Sequence, residues 1–471
     1  MKEIFAEELS VINIGLESFT EVLAEKNISY VQVDWKPPLS VSETSKRAIT
    51  AGLANRQKAN ARAMEKILAA KPMLLGLKKA LSVIPGMKKN MILHAGPPVS
   101  WKNMCGPMQG GIIGALLYEG WAKTPAEARK TAASGKIEYS PCHEHQAVGP
   151  MAGIISPSMP VFKVKNTAAG NMAFCTMNEG LGKVLRYGAF GPEVIGKLRW
   201  LEKVLYPNLD KALRLHGPLD LKMIMAQALH MGDELHNRNR AATSLLYRAL
   251  APAVIRSADS PETAAAILEF INGNDHFFLN LSMAASKASL DAARDINDSS
   301  VVVAMARNGS EFGIQLAGTG NAWFCGPAPV PDALFFPGFT KADANPDIGD
   351  SAITETNGLG GFAIAAAPAI VQFIGGNSAD ASNYTRQMYE ITVSENNVYQ
   401  IPSLDFRGTP TGIDVVKIVD KGILPFIDTG VAHRKAGIGQ VGAGVLSAPP
   451  EPFLKAYAAL AVRYKSKEKK R

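Results

Sequence analysis

The chain has 471 residues, which exceeds the size at which one hydrophobic core usually keeps growing, so we expect two to four domains. Hydrophobic residues make up 47% and charged residues 20%, which is typical of a folded globular protein and excludes a disordered or fibrous chain. The net charge of +8 is modest for this length. It suits small anionic ligands and does not by itself indicate nucleic-acid binding.

The compartment is predicted from what the sequence lacks. MKEIFAEELS carries acids where a signal peptide has a basic end followed by an apolar run. The longest apolar stretch, residues 361–375, contains Pro368 and Gln372 and is shorter than a membrane-spanning helix. The four cysteines are far apart and form no CxxC pair, which argues against a disulfide framework or a zinc ribbon. We therefore expect a reduced, cytoplasmic protein without membrane contact.

Residues 1–190 have the pattern of an α/β domain. The strand-like SVINIG precedes the helical pattern LESFTEVLAEKN, in which Phe19, Val22 and Leu23 are predicted to face inward, and then the strand SYVQVDW. A basic helical insertion is predicted over residues 42–83. MILHAGPPV returns to a strand, CGPMQGGIIGALLYEGWA leads a glycine-rich loop into a helix, and KIEYS forms another strand. This alternation predicts a Rossmann-like parallel sheet with ligand loops at the strands' carboxyl ends.

The rest of the chain divides into two further regions. Residues 191–275 are almost entirely helical in pattern and are predicted to form a small helical domain. In residues 276–471, glycine-rich loops alternate with short apolar runs such as SSVVVAMARNG, which predicts a mixed α+β region of one or two domains. The predicted fold class is therefore a multidomain α/β protein.

The segment LHMGDELHNRNR, from Leu229 to Arg240, gathers many ionisable residues beside an apolar run. If it is helical, four polar residues share one face: His230, Asp233, Glu234 and Asn237. His236 and Arg240 share another. One interpretation is a solvated helix with weak pairs four residues apart. The other is a site wall with an acid–base pair on one side and Arg238 and Arg240 as anion anchors on the other.

The tetrapeptide CHEH follows a predicted strand, where α/β proteins usually build their sites. Alternate residues of an extended chain point the same way, so His143 and His145 are predicted to converge, with Glu144 beside them, as candidate catalytic residues. A satisfied structural turn is the alternative. No complete metal signature such as HExxH occurs, so no cofactor is expected. A metal held with help from His230 and Glu234 is a weaker hypothesis.

Further polar residues set among glycines are candidates for binding an anion or moving a proton: Gly110 and Gly111 in CGPMQGG, Arg307 and Asn308 after VVVAMA, Arg407 in DFRGTPTG, and His433 in the glycine-rich run 430–444. Each has a simpler explanation. CGPMQGG lacks GxGxxG and a Walker lysine, so tight helix packing accounts for its glycines equally well. The Asn308–Gly309 dipeptide favours an ordinary hairpin turn. There is no GxSxG elbow, and a covalent nucleophile is not supported.

Several long stretches together resemble one family, the YlbE/YahG-like family of FdrA-associated proteins. The resemblance covers essentially the whole chain. It is carried by NIGLESFTEVLAEKNISYVQVDWKPP, HAGPPVSWKNMCGPMQGGIIGALLYEG, SPCHEHQAVGPMAGIISPSMPVF, HMGDELHNRNRAA, the Arg307–Gly309 region and YQIPSLDFRGTPTGIDVVKIVDKGILPFIDTGVAHRKAGIGQVGAG. The fold that it implies is a multidomain α/β protein with a Rossmann-like part, a small helical domain and two α+β domains.

The resemblance also implies a function. One branch of the family is the G subunit (AllG) of oxamate carbamoyltransferase from anaerobic allantoin catabolism, which interconverts oxalurate plus phosphate with oxamate plus carbamoyl phosphate. The implied partners are an FdrA-like subunit related to acyl-CoA synthetases and a third co-encoded subunit, with a homo-oligomer possible in isolation. The alternatives are a non-catalytic scaffold that binds a substrate or the FdrA-like subunit, and an independent metal-dependent hydrolase.

The residue roles proposed for this chemistry come from the sequence alone, because the family supplies no catalytic assignment. Carbamoyl transfer passes through a tetrahedral centre with a developing oxyanion, and it needs preorganised donors rather than a covalent nucleophile. Four arginines are predicted to clamp phosphate and the oxamate carboxylate: Arg238, Arg240, Arg307 and Arg407. His143 or His145 is predicted to polarise the carbamoyl oxygen or move a proton, with Glu144 orienting a ring and His433 as a second candidate.

Overall fold

The structure is a computed structural model, and it describes residues 9–15, 18–33, 35–370 and 377–468. The described strands are β1 (Ser10–Ile14), β2 (Ser29–Val33), β3 (Pro72–Lys79), β4 (Met91–His94), β5 (Glu138–Pro141), β6 (Pro160–Asn166), β7 (Met172–Thr176), β8 (Leu219–Asp220), β9 (Val302–Asn308), β10 (Glu311–Leu316), β11 (Phe324–Pro327), β12 (Asp332–Phe335), β13 (Ile348–Gly349), β14 (Thr392–Ile401), β15 (Arg407–Ile413), β16 (Phe426–Ala432) and β17 (Gln440–Ser447). The helices are α1 (Ser18–Glu25), α2 (Glu43–Ala51), α3 (Leu53–Leu68), α4 (Ala80–Val83), α5 (Gly106–Tyr118), α6 (Pro125–Ala133), α7 (Pro192–Trp200), α8 (Tyr206–His216), α9 (Leu221–His230), α10 (Arg240–Ser257), α11 (Pro261–Asn272), α12 (Leu279–Asp291), α13 (Ile353–Thr356), α14 (Ser378–Glu390), α15 (Val415–Lys421) and α16 (Pro450–Glu468).

The sheets are small and mostly antiparallel, which corrects the predicted Rossmann-like parallel sheet. The larger ones have the strand orders β7-β6-β3-β8, β11-β10-β9-β13 and β12-β17-β16, and all of their pairs are antiparallel. Among the described strands, the parallel pairs are β1-β2 and β4-β5, each joined through helices. The predicted βα alternation is therefore real locally, but its strands are distributed over separate sheets.

The misassigned strand β3 explains much of this difference. Its sequence PMLLGLKK belongs to the predicted helical insertion over residues 42–83, which is helical only in α2, α3 and α4. Pro72 is tolerated because it opens the strand. β3 pairs with β6 on one side and β8 on the other and becomes a central strand. Central strands buried on both faces have apolar runs that periodicity alone does not separate from a buried helix.

Residues 191–275 are predominantly helical, as predicted, and include α7 to α11 apart from the two-residue strand β8. One hydrophobic core nevertheless contains residues from all three predicted regions, including Ile112, Leu246 and Ala432. The domain boundaries at 190 and 275 therefore remain predictions.

The first βαβ unit leaves apolar side chains exposed. The prediction that Phe19 and Val22 face inward is wrong, because they are 64% and 58% exposed. A two-stranded sheet with one short helix is too small to enclose the apolar faces of all its elements. No helix among the described residues is long and apolar enough to span a membrane, and residues 371–375 of the apolar stretch lie outside the described ranges.

Strand β16 brings the polar interior of the protein together. It pairs with β17 through seven positions and carries Asp428 and Thr429 in succession, both fully buried. Successive residues of a strand point to opposite sides. Thr429 contacts Asp347 and Arg307 on one side, and Asp428 lies beside His236 on the other.

Candidate functional site

The segment between α9 and α10 is a loop, so the predicted continuous helix from Leu229 to Arg240 is wrong. Helix α9 ends at His230, and Gly232 follows with a φ of +90°, a conformation that stops helices. His230 is exposed and packs edge-on against Phe406, away from Glu234. Because the two residues do not share a helical face, they do not form the predicted weak metal pair.

The loop buries His236 against two carboxylates from distant parts of the chain. Its Nδ1 lies 2.7 Å from Oε1 of Glu355 on α13 and 2.9 Å from Oδ1 of Asp428 on β16. His236 is 3% exposed and both acids are fully buried. Glu234 closes the group, since its carboxylate accepts the backbone N–H groups of His236 and Arg238 and reaches Asp428. We refer to Glu234, His236, Glu355 and Asp428 as the His236 cluster.

The charges in this cluster are strongly coupled. Burial disfavours a charged ring, but the neighbouring Glu355 and Asp428 outweigh burial and raise the pKa of His236 to about 10. Burial raises the pKa of Glu355 to about 7 and that of Glu234 well above its usual range. The pKa of Asp428 is lowered despite burial, because the His236 charge favours its ionised form. Without another cation, the cluster therefore favours a charged His236 ring and an ionised Asp428, while burial disfavours ionisation of Glu234 and Glu355.

Backbone packed closely around the cluster fixes its shape. Gly360 has a φ of +57°, and a Cβ there would lie 2.2 Å from Oε1 of Glu355 and 3.1 Å from Cβ of His236. The Gly361 N–H donates to the same Glu355 oxygen at 3.1 Å. One group of three metal-ligating side chains occurs among the described His, Cys, Asp and Glu residues, and it consists of His236, Glu355 and Asp428. Each offers one ligand atom, and the three atoms lie within 4.8 Å of one another.

A cavity of about 370 Å³ lies beside the same loop. Its polar lining consists of Asn237, Arg238, Asn239, Arg240, Asp275, His276 and Gln440. Leu181, Phe336, Ile370 and Ala443 supply the apolar part. Both arginines that the sequence proposes as anion anchors in this segment therefore lie on one cavity wall. Two larger clefts, of about 670 and 410 Å³, contain none of the residues predicted from the sequence.

The two cavity arginines are only lightly engaged by the protein. Arg240 is largely exposed, and its Nε lies 3.8 Å from Asp275. Arg238 is about one-third exposed, and its Nε lies 3.5 Å from Asp233 without a hydrogen bond of normal geometry among the described residues. Guanidinium donors that face a cavity in this way can bind a carboxylate or phosphate.

His276 gives the cavity a neutral imidazole. Burial, reinforced by the positive charges of Arg186 and His236, lowers the pKa of His276 to about 3. Its Nδ1 has no hydrogen-bond partner among the described residues. A neutral histidine can donate from one nitrogen to a substrate carbonyl oxygen or accept a proton at the other.

The CHEH segment forms a 3₁₀ turn over Cys142–His145 instead of the extended chain that predicted convergent histidines. His145 bridges the carbonyl of Pro85 and the hydroxyl of Ser140, at 2.6 and 2.8 Å. Exposed Glu144 accepts a hydrogen bond from the Trp323 indole at 3.3 Å. These contacts belong to a structural turn, and neither residue lines the cavity.

His143 is buried in a different environment. Its Nε2 lies 3.6 Å from Oδ1 of Asp350, beyond hydrogen-bond distance, and its ring packs edge-on against Trp323. Burial and the charges of Lys287 and Arg294 lower the pKa of His143 well below its usual range. Burial also raises the pKa of Asp350 to about 7, although the carboxylate accepts the N–H groups of Gly96 and Gly149.

Arg307 and Asn308 are built into the interior. Arg307 is fully buried and donates to both oxygens of Asp347, to the carbonyl of Gly349 and to the hydroxyl of Thr429. Asn308 shapes the β9–β10 hairpin by accepting the backbone N–H groups of the two residues that follow Gly309. Both residues have their hydrogen-bonding groups occupied by protein, as the hairpin interpretation predicts.

The remaining predicted residues also lie away from the cavity. Arg407 is a surface residue that pairs with Glu395 at 2.7 Å and stacks over Tyr389. His433 accepts the Lys435 N–H through Nδ1 and packs against Phe339. Gly110 and Gly111 lie within α5, where a Cβ would clash with the Gly188 carbonyl at 2.1 Å and with Ile154 at 2.7 Å, so they permit close helix packing.

Sequence reasoning did not single out Glu355, Asp428 or His276. Asp428 had a usable signal, because it is a charged residue inside the apolar strand FIDTGVA, where an unpaired charge is costly. Glu355 and His276 have no such signal. Their importance depends on which distant residues the fold brings to them.

Comparisons with known proteins place this chain among close relatives. A family model described as oxamate carbamoyltransferase subunit AllG matches residues 137–351. The chain is 47% identical to the oxamate carbamoyltransferase subunit AllG of Escherichia coli K12 over 86% of this chain and 97% of that protein. It is 45% identical to the uncharacterized protein YahG of the same organism over 98% of this chain and 99% of that protein.

A solved structure is similar as well. The crystal structure of a conserved protein of unknown function from Enterococcus faecalis V583 is 48% identical, with a TM-score of 0.85 over 87% of this chain and 98% of that one. The family match includes Glu234, His236, Arg238 and Arg240 and ends before Glu355.

Proposed function

The chain belongs to the AllG/YahG-like family, and from this membership we propose that it is a required subunit of a carbamoyltransferase complex that interconverts oxalurate plus phosphate with oxamate plus carbamoyl phosphate. The observation that carries the proposal is the 47% identity to AllG across 97% of that protein. The proposed partners are an FdrA-like subunit and a third co-encoded subunit, and we expect the complex in the cytoplasm.

The cavity beside the His236 cluster suits the substrates of this reaction. Oxamate carries a carboxylate and carbamoyl phosphate carries a phosphate, and Arg238 and Arg240 supply planar donors for such groups. Small anionic molecules of this kind fit a volume of about 370 Å³. We propose that the two arginines hold the anionic groups and fix the relative orientation of the reactants.

We assign the reacting nitrogen of the substrate to His276. In the direction of oxalurate synthesis, the oxamate nitrogen attacks the carbamoyl carbon, the bond from that carbon to the phosphate oxygen breaks, and a proton leaves the nitrogen. Negative charge develops on the carbamoyl oxygen in between, where a preorganised donor stabilises it. The donors for that oxygen come from Arg238 and Arg240. The one N–H of neutral His276 is directed to the Asn237 carbonyl, so the ring offers an acceptor, which we propose takes the proton that leaves the oxamate nitrogen.

The test is reconstitution with oxamate and carbamoyl phosphate, with this chain alone and then with its co-encoded partners. We expect oxalurate only in the full mixture and none when this chain is omitted. Oxalurate is measured together with phosphate, because hydrolysis of carbamoyl phosphate also releases phosphate. A correctly assembled mixture that forms no oxalurate would reject oxamate as the acceptor and favour a different substrate for this branch of the family.

A double variant distinguishes the alternative role, a non-catalytic scaffold, from that of a subunit that binds the substrates. Arg238→Ala with Arg240→Ala is expected to assemble with its partners but to lose most turnover. The matched control is Arg214→Ala, an exposed arginine that pairs with Asp210 on α8 and does not line the cavity. If the double variant assembles and turns over like the control, the cavity is not the substrate site and the scaffold role is favoured.

A further inference from the structure

We propose that the His236 cluster is a binding site for a divalent cation that prefers oxygen and imidazole ligands, with Mn²⁺ as the representative ion. Nothing in the family name or in the reaction proposed above calls for such a site. The inference concerns binding by this chain alone and does not depend on which substrate the complex uses.

The donor atoms are already gathered to the scale of a metal site. The His236 nitrogen and the Glu355 and Asp428 oxygens lie within 4.8 Å of one another. Around an octahedral ion with bonds of about 2.2 Å, adjacent ligand atoms lie about 3.1 Å apart. The present separations of 2.7 and 2.9 Å from the His236 nitrogen would have to widen by about 0.4 and 0.2 Å to admit the ion.

Asp428 provides the second, independent observation. Its side chain is fully buried, yet neither carboxylate oxygen accepts a hydrogen bond of normal geometry from the described residues. The aligned bond of His236 Nδ1 goes to Glu355, which leaves Asp428 close to the ring but without its own donor. Buried carboxylates are ordinarily hydrogen-bonded or coordinated to a metal. The neighbours of Asp428 are shared with other groups, so a cation would give its oxygens an aligned partner of their own.

The surrounding residues fit outer-shell roles. Glu234 uses both of its oxygens to accept the N–H groups of His236 and Arg238, which holds the loop that carries the ligand ring. The Gly361 N–H and the Thr354 hydroxyl donate to Glu355. Such contacts fix ligand orientation in protein metal sites. Imidazole combined with carboxylates suits Mn²⁺ and related ions better than soft, thiol-preferring ones.

The experiment is titration of the chelator-treated full chain with Mn²⁺, followed by the loss of the free-ion electron paramagnetic resonance signal. Mn²⁺ is chosen because Zn²⁺ would also bind the partly exposed thiols of Cys105 and Cys325. We expect one ion to bind per chain with a Kd below about 100 µM. The thermal midpoint should rise with Mn²⁺ concentration.

Isosteric variants identify the ligands. Asp428→Asn and Glu355→Gln are each expected to weaken Mn²⁺ binding at least tenfold. His433→Gln is the matched control, because this histidine is similarly buried and lies 3.6 Å from Asp343 outside the cluster. Circular dichroism establishes that each variant is folded before it is titrated.

Two outcomes would overturn the proposal. One is a folded wild-type chain that neither removes free Mn²⁺ nor gains thermal stability from it. The other is an Asp428→Asn variant that binds as the wild type does. Neither result bears on oxalurate synthesis, so a failed metal site and a failed carbamoyltransferase assignment are distinguished by different measurements.

Discussion

The buried polar groups on the two sides of strand β16 differ in how completely they are hydrogen-bonded. On the Thr429 side, the Arg307 guanidinium has partners in Asp347, Gly349 and Thr429, and the charges balance. On the Asp428 side, three acidic side chains surround one histidine ring, and the Asp428 oxygens receive no aligned hydrogen bond from the described residues. Neighbouring positions on one strand therefore separate a completed network from an incomplete one.

In a chain with many buried polar residues, this difference indicates which of them are candidates for function. A buried ion pair with all its hydrogen bonds made needs only a structural role. A buried polar group without them raises the free energy of the folded state unless a ligand, a proton or a partner binds it. The incomplete side is also the side that adjoins the cavity through the loop from Glu234 to Arg240. We therefore assign structure to the Thr429 side and chemistry to the Asp428 side.

The largest effect is expected from breaking the Arg307–Asp347 pair. Arg307→Ala leaves a fully buried carboxylate unpaired and is expected to lower the free energy of unfolding by about 3–5 kcal/mol. Urea unfolding measures the loss. The control is Arg407→Ala, whose half-exposed pair with Glu395 is expected to contribute at most about 1 kcal/mol.

A stable Arg307→Ala protein that has lost substrate binding would reverse this assignment. It would restore Arg307 to the role of an anion anchor that the sequence suggests.

A paired substitution on β16 sharpens the comparison. Thr429→Val removes the hydroxyl between Asp347 and Arg307 and is expected to cost about 1–2 kcal/mol of stability while turnover of the complex is retained. Asp428→Asn is expected to lower stability in metal-free buffer, because it removes the ionised carboxylate that faces the His236 imidazolium. It is also expected to lower turnover, because that contact holds the loop that carries Arg238 and Arg240. Urea unfolding and oxalurate synthesis are measured for both. If the two variants show the same pattern, the division between the two sides of the strand is not functional.

Local elements of this fold were largely predictable, and their assembly was not. The strand β4, the helix α5 and the helical region 191–275 follow directly from apolar periodicity. β3 was missed because a central strand and a buried helix have the same apolar composition. The sheets were mispredicted because the pairing of strands depends on partners far along the chain.

The site was predictable in the same uneven way. Arg238 and Arg240 were found because charge density in one short segment is visible in sequence. The segment's helical form was wrong because Gly232 adopts a positive φ that ends α9. Glu355 and Asp428 lie 119 and 192 positions after His236 in the chain. No local sequence pattern predicts that they contact it.

A smaller effect is expected at the cavity mouth. Arg240→Ala is expected to raise the KM for oxamate about tenfold, equivalent to about 1.4 kcal/mol, because one charge-assisted contact to the carboxylate is lost. The wild-type KM should itself rise with ionic strength, since the side chain is 70% exposed and its field is screened by salt. Arg214→Ala provides the matched exposed arginine. Equal KM values for the two variants would exclude Arg240 from binding.

The last expected effect concerns pH and the group around His143. Burial raises the pKa of Asp350 to about 7, so the folded chain retains a proton that the unfolded chain releases near pH 4. Folded protein thus binds more protons between these values, and stability from this group falls as pH rises from 4 to 7 and is constant above that. Asp350→Asn removes the dependence, although it also alters the hydrogen bonds from Gly96 and Gly149 at every pH. The measurement is therefore the wild-type minus variant difference in unfolding free energy at pH 5 and pH 8. This difference should shift in favour of the variant at pH 8, and a difference that is the same at both pH values would mean that Asp350 is ionised throughout, as a satisfied structural carboxylate would be.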